Sequence, residues 1–533
     1  DQQPVAIKVL QNETPDFSDL LKFRNQYTLT KNLDHPQILK SLSLESYGHG
    51  YALILEDFGG ISLANYWLQY QSTPIPEIPL GEFLKIAIQL TQALNYLYQN
   101  CIIHKDIKPA NILINPQTHE VKCIDFSIAS QLPRESQELD NLNALEGTLA
   151  YLSPEQTGRM NRGIDYRSDF YSLGVTFYEL LTGTLPFTSQ DTLDLIHSHL
   201  AVNPPPVHHL NASIPLPLSE LVSELMAKNA EDRYQTALGI QADLQVCLDT
   251  LETSGHISGF KLRERDISDR LMIPEKLYGR SQEVQELLMA FERVSQGDRE
   301  LMLVAGFSGI GKTSVIQEVH KPIIRQRGYF IKGKYDQFNR NIPLSGLVQA
   351  LRDLVDQILS ESEENVEIWG EKILEAIGDQ GQVLVEVIPE LELLIGTPPP
   401  VPELSGVAAE TRLNLLFTKF IKVFASAGHP LVIFLDDLQW ADWTSLKFLK
   451  ILLDDQDYLL ILGAYRDNEV SPVHPLILTL DELTQNATPV KTLTLSPLDN
   501  ADLNQLVADT LQCDLSRANT LTDLVAKKTQ GNP

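Results

Sequence analysis

Nothing in this chain of 533 residues restricts its fold more than the octapeptide Gly306-Phe307-Ser308-Gly309-Ile310-Gly311-Lys312-Thr313, which directly follows the apolar run Leu301–Ala305. The apolar run reads as a buried strand, the glycines permit a tightly closed loop, and the residues after Lys312 read as a helix. A strand–loop–helix of this kind turns its first helical N–H groups towards one point, where the helix dipole favours an anion. Gly306, Gly309 and Gly311 are therefore expected to let the backbone close around phosphates. Lys312 is expected to reach the outer phosphates and Thr313 to ligate Mg2+.

From Lys276 onward, short apolar runs (LMLVAGF, YFIKGK, LVIFLDD, YLLILGAYR) alternate with amphipathic stretches. That alternation predicts an α/β unit over 276–533, a parallel sheet flanked by helices. The run Leu431–Leu435 ends in Asp436 and Asp437. Asp436 is expected in the Mg2+ shell, and Asp437 is placed to orient an attacking water. About 120 residues separate Thr313 from Asp436, which predicts a helical insertion containing Leu347–Leu359 and Trp369–Ile377. Trp440 and Trp443, beside the acidic pair, read as packing residues.

Composition removes other classes. With 42 Lys and Arg against 70 Asp and Glu, the net charge of −28 argues against a nucleic-acid binder, which needs a basic footprint. Four scattered cysteines with no CxxC pattern suit a reducing, cytoplasmic chain without disulfides or a zinc site. The longest apolar runs are strand-sized, short of the roughly 18 residues that span a bilayer, so no membrane span is expected. His197, His199, His208 and His209 lack carboxylate or cysteine partners at ligand spacing and read as exposed loop or helix residues.

Residues 1–250 carry a different pattern, and 251–275, polar and weakly periodic, read as a linker. Four short motifs occur in order: Val5-Ala6-Ile7-Lys8 on a strand, His104-Lys105-Asp106-Ile107-Lys108-Pro109-Ala110-Asn111, Asp125-Phe126-Ser127, and Ser153-Pro154-Glu155. Together they supply what phosphoryl transfer to a hydroxyl needs. Asp106 is a carboxylate to orient and deprotonate the hydroxyl, Asn111 and Asp125 are oxygen ligands for Mg2+, and Lys8 and Lys108 are cations for the phosphates of ATP.

On these motifs the first segment resembles the eukaryotic-type (Hanks-type) Ser/Thr protein kinases, which implies an α+β bilobal protein-kinase fold. By that resemblance Glu56 and Phe58 lie in the hinge against adenine, Thr148 belongs to the substrate-binding loop, Asp169 braces the catalytic loop, and Arg233 pairs with Glu155. The family's Gly-rich loop would fall before Val5, so the N-lobe is expected to be truncated. Gln26 stands where the resemblance expects a glutamate paired with Lys8. Lys105 replaces an arginine and Ser127 a glycine. The resemblance implies transfer of the ATP γ-phosphate to Ser/Thr hydroxyls of proteins; the alternative is a pseudokinase scaffold whose working nucleotide site is the P-loop unit.

Residues 276–533 resemble the STAND-type AAA-like signalling ATPases. The resemblance covers the element Leu277-Tyr278-Gly279-Arg280, the strand end Gly463-Ala464-Tyr465-Arg466 and the closing Gly531-Asn532-Pro533. It implies that Arg466 contacts the γ-phosphate and that Pro533 touches adenine, with the unit cut at its C-terminal end. A kinase joined to such an ATPase, with Ile331–Gln337 reading IKGKYDQ, is similar to the N-terminal part of large bacterial, cyanobacterial-type signalling proteins. In those a GAF sensor and a histidine kinase commonly follow.

Overall fold

The computed structural model describes residues 4–10, 17–69, 78–131, 149–158, 162–189, 192–268, 273–319, 323, 328–337, 342–359, 361, 363–402, 404–485 and 489–533. The chain divides into two compact units near residue 271.

The first unit opens on a small antiparallel sheet of order β1-β3-β2, formed by Val5–Val9, Ser41–Tyr47 and Gly50–Glu56. The helix Phe17–Thr30 packs on it and buries Phe23 and Gln26. The remainder is mainly helical. Its centre is the helix Leu80–Gln99, whose apolar positions are buried along nearly the whole length, and the helix Arg167–Thr182, buried on almost every side. Phe83 and Phe177 meet edge-to-face across that core at 5.1 Å.

A second small sheet, β4-β5-β6, carries the chemistry of this unit. Strands β5 (Ile112–Ile114) and β6 (Val121–Cys123) form a hairpin, with β4 (Ile61–Ser62) beside β5. Because Ile112 pairs with Cys123, Asn111 at the start of the hairpin lies beside Asp125 just past its end. Ile124 N donates to Asn111 O at 3.0 Å and fixes that register.

The stretch 251–268, which reads as linker in sequence, contains the last turn of the helix Ala237–Ser254. After it, Arg263 and Asp266 bond back onto the first unit. His199 is corrected from exposed to buried: it is 1% exposed on the helix Thr192–Ala201, and its Nδ1 lies 3.0 Å from the Tyr171 hydroxyl.

The second unit is built on one five-stranded sheet, all parallel, in the order β11-β7-β10-β9-β8. The strands are β7 (Arg299–Ala305), β8 (Tyr329–Lys334), β9 (Leu431–Asp436), β10 (Leu459–Tyr465) and β11 (Val490–Thr494). Alternate residues feed two separate cores. Leu301, Leu303, Leu431, Ile433, Leu459 and Ile461 face one cluster, while Met302, Val304, Val432, Phe434, Leu460 and Leu462 face the other. Burial on both faces explains why these strands read as unbroken apolar runs.

The first cluster holds the insertion, including the helices Ser345–Leu359, Glu363–Ile377 and Val407–Phe424. The second holds the helix Ser281–Ser295 and the helix Lys312–Gln317 that follows the glycine loop. Of the two tryptophans read as packing residues, Trp440 packs against the first cluster, but Trp443 is 60% exposed at the start of the helix Trp443–Asp455.

The buried His199 makes acid stability testable. Burial, and then the nearby Lys228 ammonium, push its pKa down to about 3. The folded protein therefore keeps the ring neutral while the unfolded chain takes up a proton near pH 6.5. The stabilising contribution is complete above that value and is lost as pH falls towards 3. Between pH 7 and pH 5 the loss from this residue is on the order of 2 kcal/mol. Urea unfolding of wild type and His199→Gln at both pH values is expected to show that much less pH dependence in the variant. Identical pH dependence would exclude this role for His199.

Candidate functional site

In the first unit, Lys8 projects from β1 and donates to two partners, Gln26 Oε1 at 3.0 Å and Asp125 Oδ1 at 2.9 Å. Its ammonium also lies 5.6 Å from the centroid of the Phe23 ring. Asp125, two residues past β6, has a positive φ of 62°, a left-handed backbone conformation uncommon for a residue with a side chain. Burial pushes the Asp125 carboxyl up, but the Lys8 charge, hydrogen bonds from Lys8 and Ser127 and the nearby His104 together hold it below the ordinary carboxylate range.

The loop between the helix Leu80–Gln99 and β5 carries Asp106. Its Oδ2 accepts from Asn111 Nδ2 at 2.6 Å and from Lys108 Nζ at 2.8 Å. Its Oδ1 is buried with no hydrogen-bond partner among the described residues. Asp169 fixes this loop by accepting from the backbone N–H of His104 and of Lys105, both at 2.8 Å. Gln156 Nε2 donates to Lys105 O at 2.8 Å, a contact not anticipated from sequence. Glu155 and Arg233 form the buried pair implied by the resemblance, at 2.7 and 2.8 Å.

Glu56 and Phe58 sit at the end of β3 and just past it. Glu56 Oε1 accepts from Lys122 Nζ at 2.5 Å and from Lys40 N at 2.9 Å, and the Lys122 ammonium lies over the Phe58 ring at 5.2 Å. Thr148 lies outside the described residues.

In the second unit, Gly306, Gly309 and Gly311 all have positive φ, of 151°, 79° and 98°, so the loop curls in a way side chains resist. A Cβ on Gly311 would meet nothing within 4 Å, which leaves its surroundings open. Lys312 Nζ folds back onto the carbonyls of Gly306 and Phe307, both at 2.9 Å. Burial lowers its pKa from the ordinary lysine value; Asp436 opposes that and Arg466 adds to it.

Thr313 Oγ1 donates to Asp436 Oδ2 at 3.3 Å across β10, which lies between β7 and β9. Burial and then the neighbouring Asp437 push the Asp436 carboxyl up. Asp437 sits at φ 52° with both oxygens engaged: Oδ1 by Gln439 Nε2 at 2.9 Å and Arg466 Nε at 3.4 Å, Oδ2 by Lys334 Nζ at 3.3 Å. Arg466 also pairs with Glu469 at 2.7 Å. Pro533 follows Asn532, whose Nδ2 donates to Ser308 O at 3.1 Å and so brings the chain end to the glycine loop. Gln439 was not singled out in the sequence, because it stands in no spacing pattern of its own, and Lys334 entered only as part of the Ile331–Gln337 resemblance, with no role attached.

The residues present suit ATP and Mg2+. Each site offers two oxygen-bearing side chains beside a lysine: Asn111 and Asp125 with Lys8, Thr313 and Asp436 with Lys312. So sparse a set fits Mg2+, which keeps waters and phosphate oxygens, and not an all-protein cage. Among the described residues no group of three or more His, Cys, Asp or Glu stands where it could hold a metal ion. Among them, too, no helix is long and apolar enough to cross a membrane.

Comparison with known proteins identifies two domains. Residues 1–243 match the protein kinase domain family, and residues 276–462 match the AAA ATPase domain family. The chain is 34% identical over 474 residues to hybrid signal transduction histidine kinase G of Dictyostelium discoideum, covering 73% of this chain and 14% of that protein. It is 36% identical over 245 residues to serine/threonine-protein kinase PknB of Mycobacterium leprae, covering 45% of this chain and 38% of the relative. Against serine/threonine-protein kinase PrkC of Bacillus subtilis the identity is 32% over 248 residues, covering 46% and 36%. The chain thus spans less than two fifths of each of these relatives. It joins a protein kinase domain, similar to bacterial serine/threonine kinases, to an AAA ATPase domain.

Proposed function

We propose that the first unit transfers the γ-phosphate of ATP to serine or threonine hydroxyls of signalling proteins, and that the second binds and hydrolyses ATP as a switch on that activity. The observation that carries the kinase reading is the state of Asp106. Lys108 and Asn111 hold one carboxylate oxygen, and the buried Oδ1 is left as an acceptor for a substrate hydroxyl proton. Asn111 turns its amide N–H to Asp106, so its carbonyl oxygen is the atom offered to Mg2+ together with Asp125. The metal, when bound, offsets phosphate charge. Lys8 and Lys108 neutralise the phosphates, and the hinge around Glu56 and Phe58 takes adenine. Thr148 would lie along the substrate.

In the second unit, Gly306, Gly309 and Gly311 would wrap the phosphates beside Lys312, with Thr313 and Asp436 as metal ligands. Asp437 would orient water, Arg466 would sense the outer phosphate and Pro533 would border adenine. The kinase unit is assigned to 1–250 and the ATPase unit to 276–533. The likeness to a hybrid signal transduction histidine kinase and to bacterial serine/threonine kinases supports a signalling protein whose polypeptide also carries a histidine kinase; a cytoplasmic place, a sensor domain and the cyanobacterial-type class are carried by the sequence resemblance.

Radiolabelled γ-phosphate transfer by the full-length protein tests the reading. Phosphoserine or phosphothreonine is expected from wild type, with a loss of at least about 100-fold in Asp106→Ala and a smaller change in Lys312→Ala. No transfer by wild type, with nucleotide still bound through Lys312, would replace the kinase with a scaffold. Gln26 gives a second test, since a neutral amide offers Lys8 only a dipole where a carboxylate would offer a full charge. Gln26→Glu is expected to raise transfer several-fold, and an unchanged or lower rate would show that Lys8 needs no anion on that helix.

A further inference from the structure

We infer that Arg263 and Asp266, twenty residues or more beyond the end of the kinase-family match at 243, are positioning residues of the phosphotransfer site. The inference rests on the kinase reading above. Both residues grip the loop 232–236, which carries Arg233. Asp266 Oδ1 accepts from the N–H and the hydroxyl of Thr236 at 2.8 and 2.9 Å, and Oδ2 accepts from Gln235 N at 2.8 Å. Arg263 donates from Nη1 to Asp232 O at 2.9 Å and from Nη2 to Arg233 O at 2.7 Å. Its guanidinium lies over the Tyr234 ring at 5.6 Å, and its backbone N–H donates to Asp243 at 2.8 Å.

The fit is close enough to dictate a neighbour. A Cβ on Gly239, in the first turn of the following helix, would stand 2.5 Å from Asp266 Oδ1 and 2.8 Å from its Cα. Only glycine lets the helix start where the Asp266 carboxylate sits.

From this loop the contacts run without a break to the catalytic aspartate. Arg233 holds Glu155 by two short bonds, and Gln156, next in sequence, donates to Lys105 O, one residue before Asp106. Gln235 Oε1 accepts from Arg167 at 2.8 Å, which ties the same loop to the helix bearing Asp169. Removing Asp266 leaves the N–H groups of Gln235 and Thr236 without their acceptor and loosens the peptide on either side of Arg233. The segment 256–268 thereby belongs to the kinase machinery, and it is also the stretch of chain that leads into the second unit.

Contiguity alone does not prove coupling, so the test reads the far end of the path. In the full-length protein, Asp266→Ala and Arg263→Ala are expected to lower kcat for phosphotransfer by about three- to thirtyfold, with KM for ATP within about twofold of wild type. Asp266→Asn keeps an acceptor for Thr236 and is expected to recover part of the loss. Hydrogen exchange at 153–157 is expected to quicken in folded Asp266→Ala, below its melting transition. A kcat within about twofold of wild type in both alanine variants, or unchanged exchange at 153–157, overturns the inference. If wild type transfers no phosphate, the kinase reading fails on its own; faster exchange at 153–157 then still supports the mechanical link, and unchanged exchange overturns it.

Discussion

Glu155 and Arg233 are almost wholly shut away from water, with side chains 1% and 0% exposed, and neither charge could persist there alone. Removing one partner of such a pair costs about 3–5 kcal/mol, because the other charge stays buried. Burial pushes the Glu155 carboxyl up, yet the charge and hydrogen bonds of Arg233, with Arg162 and the Ser168 hydroxyl, together hold the group below the ordinary carboxylate range. The remaining donors of Arg233 go to the carbonyls of Ala227, Lys228 and Arg167. One guanidinium therefore joins the Pro154–Thr157 turn, the start of the helix Arg167–Thr182 and the loop after the helix Leu216–Leu225. The loop of Asp106 depends on the same frame. Lys105 is held at φ 67°, a conformation costing a non-glycine residue about 1–3 kcal/mol, by bonds from Gln156 and to Asp169.

The second unit meets the same problem, charge at the edge of an apolar core, by different means. Its sheet is buried on both faces, so every polar group of the site is crowded onto the C-terminal ends of the strands. Placing β10 between β7 and β9 sets Thr313 and Asp436 at 3.3 Å across it and brings Arg466, just past the end of β10, against Asp437. The order of strands, not their sequence, creates that juxtaposition.

Much of this was legible beforehand, where the signal was local. Strands β7, β9 and β10 were legible as apolar runs, and the glycine loop because its residues carry their own geometry. Asn111 and Asp125 were legible as a pair only through the motif, since the hairpin that joins them has just three residues in each strand. Strand β11 was not legible: as an edge strand it buries Leu493 alone, so it shows neither alternation nor an apolar run. The burial of His199 was invisible because a neighbouring helix and the loop after it, not its own helix, supply Tyr171 and Phe187 around it. The segment holding Arg263 and Asp266 reads as linker for a related reason. Its function lies in bonds to residues about thirty positions earlier, and no periodicity records those.

The two site lysines show how differently the units stand towards an incoming anion. Lys8 is already neutralised by Asp125, and Gln26, the second group it touches, carries no charge. A phosphate reaching Lys8 competes with a carboxylate, and a metal ion drawn to Asp125 competes with the lysine; the two events favour each other, since each releases the partner the other needs. Lys312 instead satisfies its protons on the carbonyls of Gly306 and Phe307, dipoles of the very loop that would wrap the ligand. A phosphate offers the Lys312 ammonium a full charge where a carbonyl offers only a dipole, so an anion displaces those carbonyls without having to break an ion pair. An anion at the glycine loop would therefore break no ion pair, while at Lys8 and Asp125 a phosphate and a metal ion would favour each other.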